Sequence, residues 1–248
     1  MKKVLEVCVD SLASARAAIA GGADRLELCS ALQVGGLTPY ISLLRQIRQE
    51  SHIEIRAMIR PRPGDFLYTP EELELMVMQI DELRAAGCSG FVFGCLTPDG
   101  TLDRDAMLRF LAAAGPAHVT LHRAIDVSRD PLQTYLDAGA LGMDTVLTSG
   151  GAACCTDGTG IIGQLLKLER RGGPEVLIGA GVQADVIAEM RKRFPDACNF
   201  HLSGKQSVES SMRFRRPDVP MGLPGLDEWH IQQTDPEKIR AARAALDR

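Results

Sequence analysis

Two kinds of segment alternate along the chain. Short runs of five to eight residues carry apolar side chains continuously or at every second position, the period of a β-strand. They lie at 4–10 (VLEVCVD), 25–29 (RLELC), 53–60 (IEIRAMIR), 90–94 (GFVFG), 118–124 (HVTLHRA), 144–149 (DTVLTS), 175–180 (EVLIGA) and 199–203 (NFHLS). Helical spacing follows at 11–21, 39–49, 70–86, 103–114, 131–138, 160–171, 184–193 and 235–246. Four of these helices open on a capping residue and a proline: Thr38-Pro39, Thr69-Pro70, Asp130-Pro131 and Asp235-Pro236. The capping oxygen satisfies a free amide, and proline fits the first helical position. Eight strand-helix units in 248 residues predict an α/β fold, a (β/α)8 TIM barrel forming one domain over 1–248. A doubly wound sheet is the alternative, but six strands are more usual there. Residues 204–234 form a long loop between the eighth strand and the last helix, and such loops are usually functional or mobile.

Strand periodicity sorts the faces. Val7, Val9, Leu26, Leu28, Ile55, Ala57, Ile59, Val119, Leu121, Phe200 and Leu202 suit the helix-facing side. Glu6, Cys8, Asp10, Glu27, Cys29, Glu54, Arg56, Met58, Arg60, Thr120, His122, His201 and Ser203 then point into the barrel. Branched apolar side chains normally fill that space. Confined charges of both signs must instead pair with one another or bind something. The first outcome is an ion-pair network that fills the pore. The second is a site, and the C-terminal strand ends are where this fold places one.

Composition narrows the function classes. The chain is 45% hydrophobic and 24% charged, ordinary for a globular protein, and its net charge of −4 gives no reason to expect nucleic acid or a membrane surface as partner. No apolar run approaches a membrane span. The start, MKKVLEVCVD, lacks a signal core because Glu6 and Asp10 interrupt it, so a cytoplasmic location is expected. Seven cysteines form no CxxC and no zinc-finger spacing. An odd count without an export signal argues against a disulfide framework.

Three polar groupings lie at the strand ends. In MIRPRPGDF, residues 58–66, Pro61 and Pro63 restrict the backbone and Gly64 permits a turn. Arg60 and Arg62 suit an oxygen pair of a carboxylate or phosphate, and Asp65 can hold an arginine in place. In HRAID, Arg123 and Asp126 follow His122, as part of a site or as a surface salt bridge. After strands seven and eight, Gly179, Gly181 and Ser203 mark a glycine-rich turn near a helix start, where this fold often binds anions. Arg213, Arg215 and Arg216 in the long loop either cover that anion or form a solvated basic run.

Taken together, RLELC, GGLTP, IRPRPGDF, LHRAID, VLTSG, GAGV, HLS and SMRFR resemble the CutC family, and they run in the family's order through most of the chain. The resemblance implies a cytoplasmic (β/α)8 barrel, a homo-oligomer (dimer or tetramer), a role in copper tolerance and copper binding. It places the proposed copper-binding cysteines at Cys8 and Cys29. Both point inward from neighbouring strands about 4.8 Å apart, and soft thiolates select Cu(I); two buried small residues side by side are also ordinary packing. Three positions depart from the family's usual pattern: Pro63, Ile125 and Tyr40.

Three functions fit these residues. The first is copper homeostasis, with Cu(I) as cofactor and partner bound at Cys8 and Cys29. The second is an enzyme acting on a small anionic metabolite, phosphorylated ones included. Arg60, Arg62 and the turn at Gly179 would hold the anion, and Glu6, Glu27, His122 and His201 are the acid-base candidates. The third is a non-catalytic sensor using the same pocket. No strand interior carries lysine, and there is no inward His-x-His, HExxH or GxSxG. A Schiff-base aldolase, a zinc hydrolase and a nucleophile elbow are therefore not supported.

Overall fold

The computed structural model describes residues 3–216, 218, 219, 221, 222, 225 and 227–248. Met1, Lys2 and five positions of the long segment after the eighth strand lie outside them. The eight expected strands are β1 (Val4–Val9), β2 (Arg25–Leu28), β3 (Glu54–Met58), β4 (Gly90–Phe93), β5 (His118–Leu121), β6 (Thr145–Thr148), β7 (Glu175–Ile178) and β8 (Asn199–Leu202). They pair in chain order, and β8 closes on β1 to give a closed parallel barrel. Around it run α1 (Leu12–Ala20), α2 (Ile41–Glu50), α3 (Pro70–Ala85), α4 (Arg104–Ala114), α5 (Pro131–Ala140), α6 (Thr159–Glu169), α7 (Ala184–Arg193) and α8 (Pro236–Asp247).

Alternation explains why the core lies between strands and helices. Leu5, Val7, Val9, Leu26, Leu28, Ile55 and Phe200 are fully buried on the outer face, against Ala18, Leu44, Ile47, Met76 and Ile239 from the helices. Removing one of these large side chains costs about 2–5 kcal/mol. Thr69, Asp130 and Asp235 cap their helices as the sequence predicts, each accepting an amide of the first turn.

Three expectations change. Thr38-Pro39 does not cap α2, which starts after Tyr40. The Thr38 hydroxyl instead accepts the Arg60 amide at 2.9 Å and donates to Gln79 at 2.8 Å, so it pins the end of β3. The fifth strand stops at Leu121, because His122 turns its ring back to cap a 3-10 turn over Arg123–Val127. Residues 204–234 are not simply a loop. They begin and end in an antiparallel ribbon, β9 (Lys205–Glu209) on β10 (His230–Thr234). The Thr234 amide donates to Ser14 of α1 and its hydroxyl to the Ser203 carbonyl, each at 3.1 Å. These bonds seat the ribbon base over the C-terminal mouth of the barrel. Among the described residues, no helix is long and apolar enough to cross a membrane.

Candidate functional site

The barrel interior is charged in two levels. In the lower one, Glu6 accepts from Arg25 at 2.5 Å, and Glu54 faces Arg56 at 2.9 Å and Arg25 at 3.7 Å. Thr120 and Thr145 take two further bonds from Arg56. Burial alone would raise the Glu6 carboxyl, but Arg25 and His201 hold it well below the usual carboxylate range.

The upper level opens into a cavity of about 260 Å³ at the strand C-termini. Register builds its floor. Cys8 of β1 lies opposite Glu27 of β2, and on the other side Glu6 of β1 lies opposite His201 of β8. The Cys8 thiol, the Glu27 carboxylate and a ring nitrogen of His201 thus come within 4.8 Å of one another. His201 Nδ1 meets Glu6 at 2.8 Å, which turns Nε2 toward Glu27 at 3.8 Å. Burial opposes protonation of His201, but Cys8, Glu27 and Glu6 overcome it and hold the imidazole well above 6.5. Burial also raises the Glu27 carboxyl; His201 opposes the shift and Glu6 adds to it.

Cys29 takes a different place from the one its spacing suggests. The residue facing Cys8 is Glu27, so Cys29 sits two residues, about 6.5 Å, nearer the mouth. Its thiol donates to Glu27 at 3.4 Å and packs with Met58 and Val92. Burial and the Glu27 charge push that thiol well up. Cys29 stands outside the Cys8–Glu27–His201 triplet.

Arg60, Phe66 and His122 form the opposite wall. Arg62 does not join them. It turns away to Glu72 at 2.6 Å, Asp65 at 3.1 Å and the Leu67 carbonyl at 2.7 Å. Glu72 is also the acid of the α3 capping box, so helix start and loop are tied together. Asp65 holds an arginine, as its position suggests, but the held group is outside the cavity. Arg123 reaches the cavity rim while bound to Asp126 at 2.7 Å. Asp126 accepts from Thr148, Ser149 and Gly151, and so anchors the loop after β6. Ser203 lines the cavity, whereas Gly179 and Gly181 do not. A Cβ at 179 would meet Leu147 at 2.6 Å, and Gly181 has φ +78°. Those glycines serve packing and turn geometry. Arg213, Arg215 and Arg216 are exposed, and Arg215 pairs with Glu209 of the ribbon.

Periodicity did not single out Gln232 and Gln233, which reach the rim because β10 folds back on β9. Arg25 was missed as an interior residue, although its odd position beside Glu27 carried the signal.

The CutC family profile matches residues 3–206. A family protein CutC of Chromobacterium violaceum is 42% identical over 249 residues, covering all of both chains. A copper homeostasis protein cutC homolog of Homo sapiens is 38% identical over 242 residues, 97% of this chain and 88% of its own. A crystal structure described as a copper homeostasis protein CutC, from Streptococcus agalactiae, matches with a TM-score of 0.76 and 26% identity. It covers 81% of this chain and 98% of its own.

Proposed function

The chain belongs to the CutC family, and on that premise we propose that it serves copper homeostasis by holding a copper ion on the floor of its pore. The observation that carries the reading is the convergence of Cys8, Glu27 and His201 within 4.8 Å. The donor set fits the ion. A thiolate is a soft ligand that favours Cu(I), and imidazole suits copper in either state. A carboxylate on the far nitrogen of a ligating histidine fixes its orientation, and Glu6 supplies one to His201 at 2.8 Å. The metal-free floor already stabilises a positive charge between Cys8 and Glu27, in the form of protonated His201. A copper ion would occupy that place and displace the proton. Cys29 is an outer partner of Glu27 in this reading, not a second ligand of equal rank. The protein works in the cytoplasm and, as the family does, as a homo-oligomer.

An anaerobic Cu(I) titration against a competing chelator tests this reading. One-to-one binding that disappears in Cys8→Ser and weakens in His201→Gln is expected. Binding unchanged in both variants would contradict it.

A second reading has its own support. A cavity of about 260 Å³ is larger than a bare ion needs, and a cationic wall faces the copper floor. This suits an enzyme acting on a small anionic metabolite, with Glu6, Glu27, His122 and His201 as acid-base candidates.

A further inference from the structure

The copper reading makes no use of the wall formed by Arg60 and His122. Each residue is more than nine-tenths buried, and each lines the cavity. The Arg60 guanidinium spends its donors on the backbone carbonyls of Val34, Gly36 and Gly64. All three are neutral acceptors, and its buried Nε has no partner among the described residues. His122 accepts the Ala124 amide at Nδ1, 3.2 Å away, so its proton sits on Nε2. That buried N–H has no acceptor among the described residues. Phe66 spans the two, with its ring 4.6 Å from the His122 ring and 5.1 Å from the Arg60 Cζ. A buried cation with no counter-charge and a buried donor with no acceptor are both costly. One oxyanion held in the cavity against this wall would bring a counter-charge to Arg60 and an acceptor to His122.

We propose that this wall binds the carboxylate of a small organic acid whose body extends across the cavity toward the Cys8–Glu27–His201 floor. One cation and one neutral N–H suit a monoanion. Phosphate sites in this fold draw on the loops after β7 and β8; here Ser203 and Lys205 after β8 line the cavity, but the Gly179–Gly181 turn after β7 does not. Asp10 and Glu27 face the same space and offset Lys205 and Arg123 at its rim, which disfavours a dianion. Side-chain amides of Gln33, Gln232 and Gln233 at the rim offer hydrogen bonds to hydroxyl or carbonyl substituents of the acid. The proposal rests on the second reading above, that the cavity takes a small anion, and is independent of copper.

The test is a titration of the metal-free protein with glycerate, a monocarboxylate, with inorganic phosphate and with glycerol. The readout is the side-chain nitrogen resonances of its five histidines after isotope labelling. Glycerate should saturate and move the His122 Nε2 resonance, while phosphate binds far more weakly and glycerol not at all. Arg60→Met should weaken glycerate at least about tenfold, and Arg62→Met, outside the cavity, should leave it unchanged. Should Arg60→Met fail to fold, the His122 shift in the unaltered protein decides. Phosphate binding as tightly as glycerate would overturn the carboxylate assignment and leave the anion reading standing. A His122 resonance that neither anion moves would overturn both.

Discussion

The pore carries charge at two levels, and only the lower one is closed. There, Arg25 and Arg56 face Glu6 and Glu54, two threonine hydroxyls accept from Arg56 Nη1, and Arg25 Nη2 alone of these arginine nitrogens is buried without a partner among the described residues. Above, among the described residues, Glu27 has no arginine partner, Arg60 bonds backbone carbonyls and pairs with no carboxylate, and Glu27 Oε1 and His122 Nε2 are buried without partners. Ion pairs do below what branched apolar side chains do in most barrels, which is to fill space. The same kinds of residue above surround an opening instead. The difference shows how charge in a barrel separates into packing and site: below, arginines and carboxylates meet directly, and above, Arg60 stands apart from the carboxylates around a cavity.

The largest expected effect breaks the closed level. Glu6→Gln should lower unfolding stability by about 3–5 kcal/mol in denaturant titrations, because Arg25 is left buried without its counter-charge. Glu27→Gln should change stability by less than about 1 kcal/mol, since the cation beside that carboxylate, His201, keeps Glu6 as a closer counter-charge. Equal losses in the two variants would erase the distinction between the levels.

A second expected effect, of about 2 kcal/mol or more in binding, concerns the open level alone. Cys8→Ser should weaken Cu(I) at least about thirtyfold in chelator competition, with little change in the denaturation midpoint.

Acid titration gives a smaller effect. Burial and the nearby Arg60 push the His122 imidazole down to about 3, with the Asp126 carboxylate acting weakly against them. The unfolded chain protonates this residue near 6.5. Between those values the unfolded state holds the extra proton, so stability is full above about 6.5 and falls as the pH drops. From pH 7 to 5 this contributes about 1–2 kcal/mol of loss. His122→Gln should lose that much less stability over the same interval, as followed by urea unfolding at each pH. The smallest effect is expected at Cys29. Cys29→Ser should change Cu(I) affinity by less than about tenfold, because its thiol reaches Glu27 rather than the triplet.

Much of this was legible before any coordinates. The period of two placed Glu6, Cys8, Glu27, Arg60, His122 and His201 inside, and eight strand-helix units gave the barrel. Stagger between neighbouring strands was not legible. Alternation tells which face a side chain takes but not its height, so Cys8 and Cys29 looked adjacent while register sets Cys8 against Glu27. Competition for donors was also hidden. Arg60 and Arg62 look equivalent in RPRPGD, yet Glu72, ten residues past Arg62, claims one of them. The ribbon was missed because its two strands lie far apart in sequence and pair antiparallel across the long segment.

X-ray absorption spectroscopy of the Cu(I)-loaded protein at the copper edge tests the central claim most directly. One sulfur and nitrogen or oxygen neighbours around the metal, unchanged in Cys29→Ser, is the expected first shell. Two sulfurs, one lost in Cys29→Ser, would contradict the Cys8–Glu27–His201 site and restore the cysteine pair.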